Sequence, residues 1–271
     1  MTNNDFLGRD LENMGPEHDR YDPNPPKLTY LIISQPRTGS SLLASILEWN
    51  GLGKPREYLN RLYLQAFCST RNLTEINNSF YIDHLFNNRK STDGTFGIKV
   101  HLDQLLHFLA DESNDRMREK ITEFSARFDV IIFINRRDKL AQAVSLWRSL
   151  KSGLWASVDD AEKDDRLYSL SGNDFAKVFY LLSRSVRQDL QMQQLFNQAS
   201  GNKLQLWYED MLADKEGTMK SLAELFNMPD LNWKETTKVM RNNVNEDLEF
   251  QILNRLLGDI DAEKIFPLVD R

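Results

Sequence analysis

The sequence predicts an α/β fold in which helices flank a central, mainly parallel β-sheet. Short apolar runs alternate with segments of helical periodicity along the chain, which is the arrangement typical of such folds. The runs are almost continuously apolar, and this pattern indicates strands that are buried on both faces. One run passes through a polar, glycine-bearing turn straight into a helix, an arrangement that often binds phosphate groups.

Composition narrows the class of protein. The chain has 271 residues, of which 41% are hydrophobic, so it can bury a sizeable core. A net charge of -6 argues against general nucleic-acid binding, which depends on lysine and arginine. The single cysteine, Cys68, excludes an internal disulfide and suits a reducing compartment. The start lacks a signal-peptide pattern, and no apolar run approaches the roughly 20 residues of a membrane span, so we expect a cytoplasmic protein.

The start of the chain differs from the rest. Residues 1–26 are polar, acidic and rich in proline near their end, which predicts a flexible N-terminal arm. All the strand and helix patterns follow this segment, so we expect a single domain over residues 27–271.

The first strand and the turn after it carry the clearest functional signal. Leu28 to Ile33 reads as a buried strand, Ser34 to Ser41 as a polar turn, and a helix follows. Backbone N–H groups and the helix dipole favour an anion at such a helix start. The turn is not a Walker A loop, because Ser40 stands where that motif has lysine and the only full charge is Arg37. We therefore expect an anion held by arginine, hydroxyl groups and backbone.

The next segments bring further ionisable side chains towards this turn. A loop from Gly53 to Leu59 carries the carboxylate of Glu57, and residues 60–86 are helical in pieces. Residues 95–101 form a second short strand whose end bears Lys99 and His101. Because side chains alternate along a strand, these two lie on the same side.

The third strand, residues 128–134, is the most strand-like stretch and ends in Asn135, Arg136, Arg137 and Asp138. In nucleoside triphosphatases the corresponding strand ends in an acidic residue that helps to bind Mg²⁺. Two arginines at this place favour a second anion that is held directly, without a metal. Ligands of open α/β sheets lie at the carboxyl ends of the strands, where these arginines stand.

The remaining elements continue the alternation of strand and helix. A charged helix is expected over residues 105–127, and a helix that ends at Gly153 follows the third strand. Residues 154–172 form a charged loop that could act as a lid. A long helix then runs to Gly201, followed by a strand over residues 203–208 and a helix over residues 216–226.

Several of these segments resemble sulfotransferases that use 3'-phosphoadenylyl sulfate (PAPS). Ser34–Leu43 resembles their 5'-phosphosulfate loop, and Asn135–Trp147 resembles their 3'-phosphate segment. Gly53–Glu57, Gly97–Lys99 and Gln142–Trp147 are most similar to the bacterial trehalose 2-sulfotransferase family. The resemblance covers residues 28–155 in order and, more weakly, residues 204–226.

The resemblance implies a three-layer, P-loop-like fold, often as a homodimer. It also implies in-line transfer of a sulfuryl group from PAPS, without a metal, to a hydroxyl of a sugar or glycolipid. The product would be adenosine 3',5'-bisphosphate (PAP). Segments at about 58–95 and 153–172 would form the acceptor pocket, and much of the first matches the family poorly.

The same resemblance assigns roles to residues. Glu57 would be the general base, Arg37 would stabilise the sulfuryl oxygens, and Lys99 would contact the leaving group. His101 stands in a Lys-x-His segment like that of animal cytosolic sulfotransferases, where the histidine is the base. Glu57 and His101 therefore both remain candidates for the general base. The residues implied to bind the donor are Gln35, Arg37, Thr38, Gly39, Ser40, Ser41, Arg136, Ser145 and Tyr208.

Three alternatives remain at this point. Arg137 competes with Arg136 for the 3'-phosphate. A P-loop phosphotransferase that uses Mg-ATP would share the strand–turn–helix pattern, although the Walker lysine is missing. A protein that binds nucleotide without catalysis would retain the fold but not the chemistry.

Overall fold

The structure, a computed structural model, describes residues 14–110, 116–153, 155, 171–234, 248 and 251–252. The chain divides into two compact units. The first comprises Met1–Arg137 and Arg187–Lys238, and the second comprises Asp138–Val186 and Val239–Arg271.

A four-stranded, entirely parallel β-sheet forms the centre of the first unit, which confirms the predicted fold class. The strands are β1 (Leu28–Ser34), β2 (Thr95–His101), β3 (Val130–Asn135) and β4 (Asn202–Trp207). Their order across the sheet is β2-β1-β3-β4. Ser34 at the end of β1 lies opposite His101 on one side and Ile134 on the other, so the carboxyl ends of three strands meet at one edge.

Helices connect these strands. The described helices are α1 (Ser40–Trp49), α2 (Arg61–Thr70), α3 (Asn78–Asn88), α4 (Leu102–Leu109), α5 (Met117–Ser125), α6 (Lys139–Ser152), α7 (Gly172–Gln198), α8 (Tyr208–Ala213) and α9 (Lys215–Phe226). The single helix predicted over residues 105–127 is wrong at its start and in its continuity. The first helix begins three residues earlier, at Leu102, where Oε1 of Gln104 caps the backbone N–H of His101. It ends at Leu109, because Ala110 is extended, and a second helix begins at Met117.

The sheet of the first unit is covered on both faces, giving three layers. On one face, Leu31 and Ile33 of β1 belong to a large core with Phe67, Tyr81 and Phe196 from the helices. On the other face, the ring of Tyr30 packs edge-on against Phe226 of α9, with ring centroids 5.3 Å apart. Alternation along β1 therefore sends neighbouring side chains into different layers.

The second unit has its own core. Val144 and Trp147 of α6 pack with Val178 of α7 and with Leu248 and Ile252. The indole Nε1 of Trp147 donates a hydrogen bond to Oδ1 of buried Asp174, at 3.1 Å. Phe175, Phe179 and Leu182 of α7 pack against the same cluster.

The described part of the N-terminal segment contacts the first unit. Met14 is buried, and Asp19 forms ion pairs with Arg71, just after α2, at 2.5 Å and with Arg89, just after α3, at 2.8 Å. Residues 1–13 lie outside the described residues, so the flexible arm over residues 1–26 stays a prediction. The single domain over residues 27–271 likewise stays a prediction.

Within the part of the chain that the structure describes, no helix combines the length and the apolar character needed to cross a bilayer.

Candidate functional site

The turn after β1 has an unusual backbone that lets α1 begin at the sheet edge. Arg37 and Gly39 both have positive φ values, 67° and 82°. Thr38, which is buried, donates from its hydroxyl to the carbonyl of Gln35 at 2.8 Å and closes the turn. The side-chain amide of Gln35 donates from Nε2 to the carboxylate of Asp189. The N-terminus of α1, where the first N–H groups of a helix have no partner within it, therefore lies close to the end of β1.

Gly39 is required by its surroundings as well as by its backbone. A Cβ atom at this position would lie 2.3 Å from a ring carbon of Tyr208, far inside van der Waals contact. Tyr208 is the first residue of α8, which follows β4 directly. Its ring therefore packs on the backbone of the turn, and β4 ends one residue before the predicted boundary.

Arg136 lies beside the same turn. Its guanidinium carbon stands 5.1 Å from the centre of the Tyr208 ring, and Nη1 donates to the carbonyl of Arg37 at 3.5 Å. Its Nε is buried without a hydrogen-bond partner, and Oε1 of Glu209 is 4.0 Å away. A buried donor that is unsatisfied in this way fits the binding of an additional anion.

Arg137 is engaged elsewhere, although it is the next residue. Its two terminal nitrogens bind the two carboxylate oxygens of Asp210 at 2.5 and 2.6 Å. Its guanidinium also stacks over the ring of Trp207, with 4.8 Å to the centroid. Between the two arginines, this geometry favours Arg136 as the ligand of an anion at the turn.

Glu57 is the centre of a second cluster at the ends of β1 and β2. Its Oε1 is 3.0 Å from Nζ of Lys99 and 3.4 Å from Nε2 of His101. Its Oε2 accepts a hydrogen bond from Nε2 of Gln104 at 2.7 Å. The prediction that Lys99 and His101 share one side of the strand is confirmed, because both contact the same oxygen.

These contacts decide the ionisation of Glu57. Burial raises the pKa of its carboxyl, but the charges of Lys99 and His101 and the hydrogen bonds from His101 and Gln104 lower it more. The net result is a pKa well below the usual range for glutamate. Glu57 is therefore a carboxylate at neutral pH, and its side chain is 26% exposed.

His101 is held from both sides of its ring. Nδ1 lies 3.0 Å from the carbonyl oxygen of Ser34 and 3.1 Å from its hydroxyl oxygen. Nε2 faces Glu57, and the side chain is only 8% exposed. Because its ring is buried and faces Glu57, His101 is better placed to orient Glu57 than to remove a proton from an acceptor hydroxyl.

Lys99 connects the two clusters. Besides its contact with Glu57, its Nζ donates to Oγ of Ser41 at 3.0 Å, in the first turn of α1. Its side chain is buried. One ammonium group thus connects the start of α1 with the carboxylate of Glu57.

The structure brings together most of the site residues expected from the sequence. Within the first unit, Gln35, Arg37, Thr38, Gly39, Ser40, Ser41, Arg136 and Tyr208 form or adjoin the turn, while Glu57, Lys99 and His101 form the carboxylate cluster. Ser145 lies on α6 in the second unit, and its role stays a prediction. The predicted acceptor segment 153–172 lies almost wholly outside the described residues.

The sequence did not single out Gln104 and Glu209 as contacts of the site, and it did not predict the contact of Ser34 with His101. Gln104 has a detectable signal, because a glutamine three residues into a helix often closes a capping box. Its contact with Glu57 has no signal, since the two residues are 47 positions apart.

The chain is similar to known proteins in sequence. A sequence model of the family described as Stf0 sulphotransferase matches residues 29–249. Trehalose 2-sulfotransferase from Mycobacterium tuberculosis (strain ATCC 35801 / TMC 107 / Erdman) is 24% identical over 166 residues, covering 51% of this chain. The chain spans 62% of the length of that relative.

A solved structure, the sulfotransferase domain from the Synechococcus PCC 7002 olefin synthase, is also similar. It is 15% identical, and the match covers 89% of this chain and 99% of that domain. The TM-score is 0.36, too low for a detailed comparison of the two folds.

Proposed function

We propose, since the chain belongs to the Stf0 sulphotransferase family, that it moves a sulfuryl group from PAPS to a hydroxyl of a small carbohydrate or glycolipid. The observation that carries this proposal is the position of Lys99. Its ammonium group lies 3.0 Å from both Ser41 of the turn and the carboxylate of Glu57. A donor bound at the turn and a hydroxyl at Glu57 would therefore meet at one cation.

The residues of the turn fit the PAPS donor. When bound, PAPS supplies an activated sulfuryl group on a bisphosphate leaving group. The start of α1 with Ser40 and Ser41 would hold the 5'-phosphate, because the first backbone N–H groups of a helix have no partner within it. Arg136 would bind the 3'-phosphate through the buried Nε that has no partner. Tyr208, beside both, would contact the adenine.

The chain's own groups then have distinct tasks. Glu57 is already ionised and would take the proton of the acceptor hydroxyl as its oxygen bonds to sulfur. Lys99 and Arg37 would balance the negative charge that develops on the leaving group and the sulfuryl oxygens. His101 would hold Glu57 in place, so we favour Glu57 over His101 as the base.

The acceptor, assembly and location remain proposals. The relative named trehalose 2-sulfotransferase supports a sugar acceptor for this chain. The homodimer implied by the resemblance and the cytoplasmic location expected from the sequence also stay predictions.

Titration with PAP, in parallel with ATP with and without Mg²⁺, tests the donor site directly. We expect PAP to bind more tightly than ATP and its affinity not to depend on magnesium. Preference for Mg-ATP would instead support the phosphotransferase alternative. Binding of PAP without turnover across a broad panel of acceptors would support a non-catalytic nucleotide-binding protein.

The base is tested by Glu57→Gln, which keeps the size of the side chain and removes its charge. We expect turnover of PAPS with trehalose or glucose as acceptor to fall by about 10²- to 10⁴-fold, the usual contribution of a general base. The affinity for PAP, measured by calorimetry, should change little. An unchanged rate would exclude Glu57 from this role.

A further inference from the structure

Gln104 contacts the site through both ends of its amide group. Oε1 accepts from the backbone N–H of His101 at 3.2 Å, and Nε2 donates to Oε2 of Glu57 at 2.7 Å. The backbone N–H can only donate, so it fixes the amide with its oxygen towards His101 and its NH₂ group towards Glu57. The helix cap at the start of α4 therefore also orients a donor at the carboxylate.

The contacts of Glu57 leave its two oxygens unequal. A carboxylate offers about four lone-pair positions, two on each oxygen. Oε1 faces both Lys99 and His101, while Oε2 meets Gln104. Among the contacts that the structure describes, Oε2 thus has one lone pair left, and the side chain is 26% exposed.

We propose that Gln104 is a positioning residue that aims Oε2 of Glu57 at the acceptor hydroxyl. This inference rests on the proposed function and adds to it which oxygen takes the proton and what holds it there. The ionisable side chains that contact Glu57 are Lys99 and His101, and both lie on β2. Arg56 on its own loop is paired with Glu48 of α1 at 2.8 Å.

Two substitutions separate this role from helix capping. Gln104→Glu keeps an oxygen that can accept from the N–H of His101, and glutamate is common at this place in capping boxes. It loses the NH₂ donor and, when ionised, puts a second negative charge beside Glu57. Gln104→Met has similar size and loses both contacts. Gln194→Met, at an exposed position of α7, is the matched control.

The first measurement is the titration of Glu57 by NMR of carboxyl-¹³C-labelled glutamate, which needs no substrate. The Glu57 signal is identified by its loss in Glu57→Gln. In Gln104→Met we expect the pKa of Glu57 to rise, because a hydrogen bond to its charged form is gone. In Gln104→Glu the two carboxyl groups should titrate as a coupled pair, with one pKa above the usual range.

The second measurement is the dependence of kcat on pH, with PAPS and trehalose or glucose. The low pKa of Glu57 places the acid limb of the native protein below the usual range for glutamate. In Gln104→Met this limb should move to higher pH. In Gln104→Glu activity should persist at acidic pH, where the new carboxyl is protonated and can donate, and fall about tenfold or more as it ionises.

The outcomes distinguish this inference from the proposed function. If PAP binds and turnover occurs, but both variants titrate and react like the native protein and Gln194→Met, the inference is wrong and the function stands. If the native protein neither binds PAP nor turns over PAPS, the function fails and so does the role of Gln104 in catalysis. If the pKa of Glu57 rises in the Gln104 variants, the dependence of kcat on pH shifts and the affinity for PAP is unchanged, both the inference and the proposed function are supported.

Discussion

At the scale of single residues, two adjacent arginines have different partners. Arg137 binds the carboxylate of Asp210 through both terminal nitrogens and stacks on Trp207. Arg136 stacks on Tyr208 and keeps a buried Nε without a hydrogen bond. A buried donor costs free energy until a partner arrives, so Arg136 is the residue suited to gain an anion.

We therefore expect Arg136→Ala and Arg137→Ala to differ. Loss of a charged hydrogen-bond donor should weaken PAP binding about 10- to 100-fold in Arg136→Ala. Arg137→Ala should leave the affinity for PAP nearly unchanged, because that side chain already has its carboxylate partner. Calorimetric titration of both variants measures the difference, and a larger loss in Arg137→Ala would reverse our assignment.

At the scale of elements, the turn between β1 and α1 depends on a close approach by α8. Gly39 has a φ of 82°, and the Tyr208 ring occupies the space where a side chain would begin. Gly51, just after α1, has a similar φ of 79°, but nothing lies within 4 Å of a Cβ placed there. Both glycines thus have a positive φ, but only at Gly39 does a neighbouring side chain occupy the space that a Cβ atom would need.

This pair provides a controlled test of the turn. Gly51→Ala should cost only the strain of a left-handed alanine, about 1–2 kcal/mol. Gly39→Ala should destabilise the protein more and should also weaken PAP binding, since the ring must move and disturb the turn. Thermal unfolding and PAP titration of both variants would reveal this, and equal effects on binding would contradict it.

At the scale of the whole molecule, the start of the described chain stabilises the first unit through charge. Asp19 has a side chain that is only 15% exposed, and it pairs with Arg71 and Arg89, which are 13% and 9% exposed. His84 also lies 3.2 Å from its carboxylate. Removing one member of such a cluster leaves poorly hydrated charges behind.

Asp19→Asn should accordingly lower the free energy of unfolding by about 3 kcal/mol. The ion pair of Arg116 with Glu119 serves as the control, because its side chains are 71% and 60% exposed. Glu119→Gln should cost less than about 1 kcal/mol. Denaturant unfolding measures both values, and equal losses would show that Asp19 does not act through its burial.

The sequence allowed several features to be predicted because they depend on local patterns. Continuous apolar runs predicted the buried parallel strands, and alternation along β2 predicted that Lys99 and His101 share a side. The start of α4 was misplaced because its capping box overrides the apolar periodicity that suggested Leu105. The boundary of β4 was off by one residue because Tyr208 begins α8 and turns its ring towards Gly39.

The sequence by itself determined the order of strands and helices along the chain, the glycine-bearing turn that leads from β1 into α1 and the set of candidate acids and bases. Only the tertiary structure decided how these groups are used. Arg137 is bound by Asp210, which lies 73 positions away along the chain, and Oε2 of Glu57 accepts a hydrogen bond from Gln104, which lies 47 positions away. The physical reason is that hydrogen bonds and ion pairs act over a few ångströms in space, whatever the distance along the chain.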